Sequence, residues 1–281
     1  MSEYKGIQGF TVQSVTSDPS PLQNGQMWYN STSKTLKVST QIGTWATGNN
    51  MNTTRRSLAG AGTQTSALGF GGFVPVGGTL SSATEKYDGT NWTSVNNMNT
   101  ARFNLGGTGT QTSALAFGGA TPAQTAATEK YDGTNWTSVN SMNTARDDLG
   151  GCGTQTSALA FGGSVPPITA ATEKYDGTNW TSVNSMNTAR SSLAEAGTQT
   201  SALAFGGGPI SATVNTTELY DGTNWTSNPT GLATARGELG GVGTQSFALA
   251  FGGRTGPTTI VATEEWTGSF TQLATKTITT S

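Results

Sequence analysis

Few residues in this chain could carry chemistry. The sequence contains no His and a single Cys, Cys152, which excludes imidazole general bases, Ser-His-Asp nucleophiles, the commonest zinc sites and an internal disulfide. In the regions where the repeated units of the chain differ from one another, the only unpaired, non-periodic acids are Asp147, Asp148 and Glu238, and a glycosidase would need two carboxylates about 5 to 9.5 Å apart. We therefore predict no catalytic residue, no metal site and no cofactor, and we expect a protein that is not an enzyme.

The charge of the chain argues against nucleic acid as a partner. The 14 Lys and Arg residues face 16 Asp and Glu residues, for a net charge of -2, whereas binding by phosphate neutralisation needs a basic face. No run of about 18 apolar residues is present. The start MSEYKGIQGFTVQ also lacks the basic end and the apolar stretch of a signal peptide. We expect neither membrane insertion nor secretory processing.

A repeated unit of 44 to 47 residues dominates the sequence, and periods of this size indicate propellers or solenoids. Each unit contains a Phe before a Gly-Gly doublet, then a Trp, then an Arg ten or eleven residues after the Trp. The doublets begin at Gly71, Gly118, Gly162, Gly206 and Gly252; the Trp residues are Trp45, Trp92, Trp136, Trp180 and Trp225, with Phe270 in the sixth place; the Arg residues are Arg55, Arg102, Arg146, Arg190 and Arg236.

Each unit is predicted to form four short strands. In the second copy these are ARFNLGGTG, SALAFGG, ATEKYDG and NWTSVN, separated by the turn GTQT, by the connection after the doublet and by the Asp-Gly turn of YDGTNW. No stretch carries apolar residues at helical spacing for more than one turn. The fold class is therefore all-β, with the small-residue strands near an axis and the strands that contain Tyr and Trp outside.

The order Arg, Phe-Gly-Gly, Tyr-Asp, Trp, Met resembles the kelch repeat, in which each motif forms one four-stranded blade of a β-propeller. The resemblance covers about residues 53 to 273. The repeated sequence motifs NTAR, GTQTSALAFGG and TEKYDGTNW are similar to those of kelch-like proteins of marine tailed bacteriophages. The segment NGQMWYNSTSKTLKV resembles segments of phage virion proteins. The resemblance implies a virion protein that is synthesised in the host cytoplasm.

The ends of the chain decide the number of blades. Five units run from Arg55 to Leu273. We predict a sixth blade that combines residues 274 to 281 as its inner strand with three N-terminal strands, GQMWYN, TLKVST and GTWAT, because such 1+3 closure leaves no sheet edge exposed. The alternative is a five-bladed ring with residues 20 to 50 outside it. We assign residues 1 to 22 to an N-terminal extension or virion attachment segment, and residues 23 to 281 to the propeller.

Residues that recur in every unit are predicted to be scaffold. Burial of a Trp is worth about 4 to 6 kcal/mol gross, and the repeated Arg is expected to form a structural ion pair with the repeated Glu. Each DGTN hairpin offers one carboxylate, too few for calcium. Cys152 stands where another copy has Ala196, and is expected in the core. The repeated Glu residues are Glu85, Glu129, Glu173, Glu218 and Glu264.

Two places differ between the copies: the connection after the Gly-Gly doublet, and the pair of residues after the repeated Arg. In an antiparallel four-stranded meander both connections emerge at the same end of the blade, so the variable regions are predicted to share one face. Rigid scaffolds commonly carry recognition on such loops, and kelch propellers generally bind partners there. The alternative is that nothing constrains these loops. The candidate ligand-binding residues are Arg56, Phe73, Val74, Phe103, Asn104, Asp147, Asp148, Pro166, Ile168 and Arg254.

We therefore predict a non-enzymatic virion surface protein, such as a fibre, knob or decoration unit, that binds a host-surface glycan or protein through its variable face. Its N-terminal segment would attach it to other virion proteins, and copies could form a homo-oligomer on the particle. The alternatives are a structural virion protein without a ligand, a glycan-degrading enzyme, and an intracellular kelch adaptor, which would normally carry another interaction domain.

Overall fold

The computed structural model describes residues 12–20, 27–38, 47–208 and 212–268. The chain divides into two compact units, Met1–Gly48 and Asn49–Ser281. No helix within the described ranges is long and apolar enough to span a membrane.

The described part of the N-terminal unit contains three strands: β1 (Gln13–Val15), β2 (Met27–Asn30) and β3 (Thr35–Val38). β2 and β3 form an antiparallel hairpin, while β1 pairs with β2 in parallel. The carboxylate of Asp18 accepts hydrogen bonds from Lys37 Nζ at 2.7 Å, Asn30 Nδ2 at 2.8 Å and Trp28 Nε1 at 2.9 Å. These bonds, that from Lys37 foremost, lower the pKa of Asp18 to about 2.

Five sheets of one design follow in the second unit. Sheets 1 to 4 are four-stranded antiparallel meanders, and sheet 5 has three described strands. Sheet 1 contains β4 (Ala59–Thr63), β5 (Ser66–Phe70), β8 (Thr84–Tyr87) and β9 (Trp92–Val95), with a hairpin of β6 (Phe73–Val74) and β7 (Thr79–Leu80) in its middle connection. Sheet 2 contains β10 (Gly106–Thr110), β11 (Ser113–Phe117), β12 (Thr128–Tyr131) and β13 (Trp136–Val139).

The same order continues in the remaining sheets. Sheet 3 contains β14 (Gly150–Thr154), β15 (Ser157–Phe161), β16 (Thr172–Tyr175) and β17 (Trp180–Val183). Sheet 4 contains β18 (Ala194–Thr198), β19 (Ser201–Phe205), β20 (Thr217–Tyr220) and β21 (Trp225–Asn228). Sheet 5 contains β22 (Gly240–Gly243), β23 (Phe247–Phe251) and β26 (Thr263–Thr267), with a hairpin of β24 (Arg254–Thr255) and β25 (Thr258–Thr259).

Glycines in the left-handed region fix both the turns within sheets and the contacts between them. Gly109, near the end of β10, has a φ of 107°, and a Cβ there would lie 2.2 Å from the carbonyl oxygen of Ser113. Gly118, the first residue of its doublet, has a φ of 63°, and a Cβ there would lie 2.7 Å from the carbonyl oxygen of Arg146. Only Gly permits such close backbone approaches.

Successive sheets pack through contacts that repeat along the array. The first strands β4, β10, β14, β18 and β22 touch one another in that order. In sheets 1 to 3 the Phe before the doublet packs on the Trp of the next sheet, with ring centroids 4.9 Å apart for Phe70 and Trp136. Trp136 Nε1 also donates to Thr84 Oγ1 of sheet 1 at 2.9 Å. The described residues therefore form an all-β, propeller-like array with no α-helix, in which the repeated Trp is scaffold.

The repeated Arg and Glu form the predicted ion pair inside each sheet. Arg190 Nη2 lies 3.0 Å from Glu218 Oε1, and both side chains are fully buried. Arg190 Nη1 also donates to the carbonyl oxygens of Gly206 at 3.0 Å and Thr216 at 2.6 Å. The guanidinium therefore also provides hydrogen-bond donors for backbone carbonyls of its sheet. Burial lowers the pKa of Arg146 to about 10, which leaves it charged at neutral pH. The equivalent pairs are Arg55–Glu85, Arg102–Glu129, Arg146–Glu173 and Arg236–Glu264.

The residues on which the number of blades depends lie outside the described ranges. They are Trp45 with most of the GTWAT strand, Phe270, Leu273 and residues 274 to 281. Closure of the ring and the number of blades therefore stay predictions.

Candidate functional site

Backbone hydrogen bonds join the two variable regions of each unit on one face. The N–H of Arg56 donates to the carbonyl of Phe73 at 3.0 Å, and the N–H of Phe73 donates to the carbonyl of Arg56 at 2.8 Å. Phe103 and Ala120 exchange the same two bonds, at 3.2 and 2.9 Å. The residue after the repeated Arg therefore lies beside the residue after the Gly-Gly doublet, as predicted. The equivalent neighbours are Asp147 with Ser164, Ser191 with Gly208, and Gly237 with Arg254.

A belt of backbone bonds runs from unit to unit through the second residue of each variable pair. The N–H of Asn104 donates to the carbonyl of Ser57 at 3.0 Å, and the N–H of Asp148 donates to the carbonyl of Asn104 at 2.9 Å. Ser192 and Glu238 continue the belt, at 2.8 and 2.9 Å. All five residues have φ between 51 and 55°, which is the left-handed region that residues other than Gly seldom adopt. The belt holds the backbone of these five residues in this conformation.

A cavity of about 1040 Å³ opens where these loops meet, a volume at the upper end of the range for ligand sites. Residues from all five units line it. Six of the ten residues predicted to bind ligand are among them: Arg56, Phe73, Phe103, Asn104, Asp148 and Arg254. The other lining residues are Ser57, Leu58, Leu105, Leu149, Ser191, Ser192, Leu193, Gly208, Glu238 and Leu239.

The other four predicted residues do not line this cavity. Val74 lies half-buried in β6. Asp147 is buried, and it accepts a 3.4 Å hydrogen bond from Gln124 Nε2. Pro166 and Ile168 lie in the turn of the connection after the third doublet, which folds back on itself. These residues share the variable face without contributing to the cavity.

Several residues that line the cavity were not among the predicted binding residues, although a pattern in the sequence could have pointed to them. One Leu follows the variable pair in every copy, so its repetition marked it as scaffold although it also lines the cavity. Ser191, Ser192 and Gly208 come from the unit of sheet 4, and their small side chains leave space there. The repeated Leu residues are Leu58, Leu105, Leu149, Leu193 and Leu239.

One part of the cavity combines a cation with aromatic rings. The guanidinium carbon of Arg56 lies 5.2 Å from the ring centroid of Phe73. The rings of Phe73 and Phe103 lie 6.2 Å apart at 55° to each other. Arg56 is exposed, and both Phe residues are half-buried. Among the described residues, no carboxylate forms an ion pair with Arg56.

Another part of the cavity is acidic. Burial, together with the charges of Asp147 and Glu238, raises the pKa of Asp148 to about 6. Arg254 Nη1 lies 3.5 Å from Glu238 Oε1, in a partly exposed ion pair. At neutral pH the cavity therefore contains two carboxylates, of which one has an Arg partner.

The described residues contain no group of three or more His, Cys, Asp or Glu that could hold a metal ion. Cys152 is buried and donates to the carbonyl of Thr198 at 3.4 Å, and burial raises the pKa of its thiol, which leaves it unreactive. Asp88, in a DGTN turn, accepts the N–H groups of Thr90 at 2.8 Å and Asn91 at 2.7 Å. Its carboxylate therefore stabilises its own turn.

The arrangement can hold a ligand through a cation, aromatic rings, an amide and hydroxyl groups on a fixed backbone. Comparison of the chain with protein-family models and with curated proteins finds no match.

Proposed function

We propose that this chain is a non-enzymatic recognition module that binds a host-surface glycan or protein in the cavity on its variable face. The contrast between two kinds of position carries the proposal. Contacts within and between sheets repeat from unit to unit, whereas the variable pairs at the cavity differ in charge, size and aromatic character. Recognition on a rigid scaffold commonly uses such positions. The pairs are Arg56-Ser57, Phe103-Asn104, Asp147-Asp148, Ser191-Ser192 and Gly237-Glu238.

We propose further that a sixth sheet closes a kelch-type ring, because sheet 5 has a packing face that the described residues do not cover. Phe251 is 37% exposed, whereas its counterparts in sheets 1 to 4 are 0 to 3% exposed. Val242 is 53% exposed, against 4 to 8% for its counterparts in sheets 2 to 4. The counterparts are Phe70, Phe117, Phe161 and Phe205, and Thr108, Cys152 and Ala196.

The connection that enters sheet 1 supports a preceding sheet. Asn49 Nδ2 donates to Asn91 Oδ1 at 2.8 Å, and the N–H of Asn52 donates to Glu85 Oε2 at 2.7 Å. The connection that leads into sheet 2 makes the same two bonds, at 2.8 and 2.7 Å. Residues 49 to 55 thus follow the ordinary course from a fourth strand to the next first strand. We infer that the residues before Asn49, GTWAT, form the fourth strand of the sixth sheet.

The 1+3 arrangement would place residues 274 to 281 at an edge of β2. In the structure β1 pairs with that edge, so closure requires the C-terminal strand to replace β1. A five-bladed ring would require sheets 5 and 1 to pack directly. Among the described residues, no ring contact joins Phe251 to Trp92 as Phe70 contacts Trp136. The missing contact between sheets 5 and 1 favours six blades over five, whereas the pairing of β1 with β2 must be displaced for the 1+3 closure.

We propose that the module belongs to a phage virion, at its surface or tail, with the N-terminal segment bound to other virion proteins. The support is the resemblance of the repeated sequence motifs and of the NGQMWYN segment to phage proteins. Mass spectrometry of purified virions tests this context. We expect peptides of this chain at the level of a structural component, and a particle without them would contradict the context.

A glycan-degrading enzyme is the second candidate. One observation favours it: Asp148 and Glu238 line the same cavity, and Asp148 has a pKa of about 6, a value suited to proton transfer near neutral pH. Depolymerisation of a host polysaccharide that is lost in Asp148→Asn would establish this function. Binding of the polysaccharide without turnover would reject it.

Binding of the isolated protein to a glycan array and to host cells tests the recognition function. The double variant Phe73→Ala, Phe103→Ala changes the cavity, and the double variant Thr90→Ala, Thr134→Ala changes exposed turns at the other ends of the strands. We expect the first variant to lose binding and the second to keep it, with both folded. Absence of binding by the unaltered chain would favour a structural virion protein without a ligand.

A further inference from the structure

We propose that the cavity selects sugars that carry a carboxylate, such as uronic acids, with Arg56 pairing with the carboxylate and the rings of Phe73 and Phe103 packing on the sugar. This inference rests on the proposed function, and it names the ligand class of the same cavity.

Arg56 differs from the other cations near it because its charge is free for an incoming anion. The repeated Arg residues pair with buried Glu residues, and Arg254 lies beside Glu238. Arg56 has no ion-pair partner among the described residues, and Glu3 holds the only side-chain carboxylate outside them. An Arg guanidinium binds a carboxylate through two parallel N–H···O bonds. The position therefore suits a ligand with an acidic group.

The groups around Arg56 match a sugar ring. Phe73 and Phe103 lie tilted at 55°, so they offer ring surface to the apolar C–H face of a pyranose. Asn104 and Ser192 line the same cavity and supply an amide and a hydroxyl for sugar hydroxyls. Ligand sites typically combine aromatic walls with a few such polar groups.

The backbone at this face favours a sugar over a peptide strand. Peptides that add to a sheet edge need free backbone N–H and C=O groups. The N–H and C=O of Arg56 and of Phe103 are bonded to neighbouring loops, and those of Asn104 and Asp148 are bonded within the belt. Recognition at these residues must therefore use side chains.

The acidic groups make the affinity for such a sugar depend on pH. Asp148 lies near Asp147 and Glu238, while Arg254 pairs with Glu238. Asp148 loses its proton near pH 6 and then adds a negative charge to the cavity. Sugar carboxylates stay ionised above about pH 4, like other carboxyl groups. Affinity should therefore fall as the pH rises through 6.

Calorimetric titration of the full chain with uronic acid oligosaccharides tests the inference. The probes are oligogalacturonate, oligomannuronate and oligoglucuronate, each beside its methyl ester, which keeps the ring and removes the charge. Arg56→Gln removes the proposed partner, and Lys34→Gln removes one exposed positive charge from the N-terminal unit. The Arg56 side chain is exposed, so we expect Arg56→Gln to unfold at the parent temperature.

We expect at least one acidic oligosaccharide to bind more tightly than its ester. Arg56→Gln should weaken that binding by about 10- to 100-fold, the range for a charge-assisted hydrogen-bonded pair, without changing binding of the ester. Lys34→Gln should leave both unchanged. Asp148→Asn should remove the loss of affinity between pH 5 and pH 7.5.

Equal affinity for acid and ester, unchanged affinity in Arg56→Gln, or no binding of any acidic probe at millimolar concentration would overturn the inference. Binding of a neutral glycan that is lost in the Phe73→Ala, Phe103→Ala variant would overturn it while leaving the recognition function intact. No binding to any glycan or host cell would contradict both.

Discussion

The N–H of Asn104 donates a 3.0 Å hydrogen bond to the carbonyl oxygen of Ser57, from one unit of the array to the next. This bond and its counterparts fix the backbone of the loops that carry the variable side chains. Ordering of loops on binding costs free energy, and a loop fixed in advance avoids that cost. The variable face thus combines a constant backbone with side chains that differ from unit to unit.

Replacing Arg190 with Met should lower the free energy of unfolding by about 3 to 5 kcal/mol, because buried Glu218 would lose its partner. Urea-induced unfolding measures the change. Arg254→Met is the matched control, since its pair with Glu238 is partly exposed and should contribute about 0 to 1 kcal/mol. Similar small effects of both substitutions would contradict a structural role for the buried pair.

Phe251→Ala tests whether a further sheet covers sheet 5. In the six-bladed ring Phe251 is buried like Phe161, so both Phe→Ala variants should lose about 3 to 5 kcal/mol. Phe161 is fully buried in the described array, whereas Phe251 is 37% exposed there. Chemical denaturation of the two variants gives the comparison. A loss for Phe251→Ala well below that for Phe161→Ala would argue against a sixth blade.

Deletion of residues 274 to 281 tests the closing strand itself. In the 1+3 arrangement this segment is the inner strand of the sixth blade, so its removal should lower the melting temperature sharply. Differential scanning calorimetry of the truncated chain measures the shift. An unchanged melting temperature would count against closure by the C-terminal segment.

The repeat explains how much of this architecture the sequence predicts. Antiparallel alternation within a unit places the residues after Arg55 and after the Gly71-Gly72 doublet on one face, and their periodicity marks the Arg and Glu as scaffold. The direction of individual side chains is not predictable in this way. Asp147 and Asp148 are adjacent and identical in type, yet only Asp148 lines the cavity. The left-handed φ that turns Asp148 inward depends on a bond to another unit.

Two further features escape sequence reasoning for physical reasons. The parallel pairing of β1 with β2 involves three residues, Gln13–Val15, that are too few to show a pattern. Glu195 lies in β18 opposite Ala204, at the position where the other four units have Gly. A one-residue departure from a repeat signals a local change, but its surroundings come from neighbouring sheets.

Glu195 should make stability fall as the pH rises. Burial raises the pKa of Glu195 to about 8, although a hydrogen bond from the N–H of Gly151 acts to lower this pKa. In the unfolded chain the pKa of a Glu is about 4.3. The folded state therefore holds this proton in a range where the unfolded state releases it, and stability declines between about pH 4.5 and pH 8. Glu195→Gln should flatten the decline.

Melting temperatures measured from pH 4 to pH 9 test this effect. In a chain of this size, a change of 1 kcal/mol in the free energy of unfolding shifts the melting temperature by about 2 to 4 °C. Asp148 titrates near pH 6 and acts in the same direction at lower pH, so Asp148→Asn is the control. A decline above pH 6 that persists in Glu195→Gln would show that another group causes it.

Binding by a chain with uniform variable pairs tests most directly whether these pairs form the recognition site. Every pair becomes Ser-Ser, as at Ser191-Ser192, while the scaffold contacts and the backbone belt remain. We predict a folded protein that no longer binds the glycan or host cell bound by the parent chain. Undiminished binding by this variant would contradict recognition through the variable face. The substitutions to Ser are at Arg56, Phe103, Asn104, Asp147, Asp148, Gly237 and Glu238.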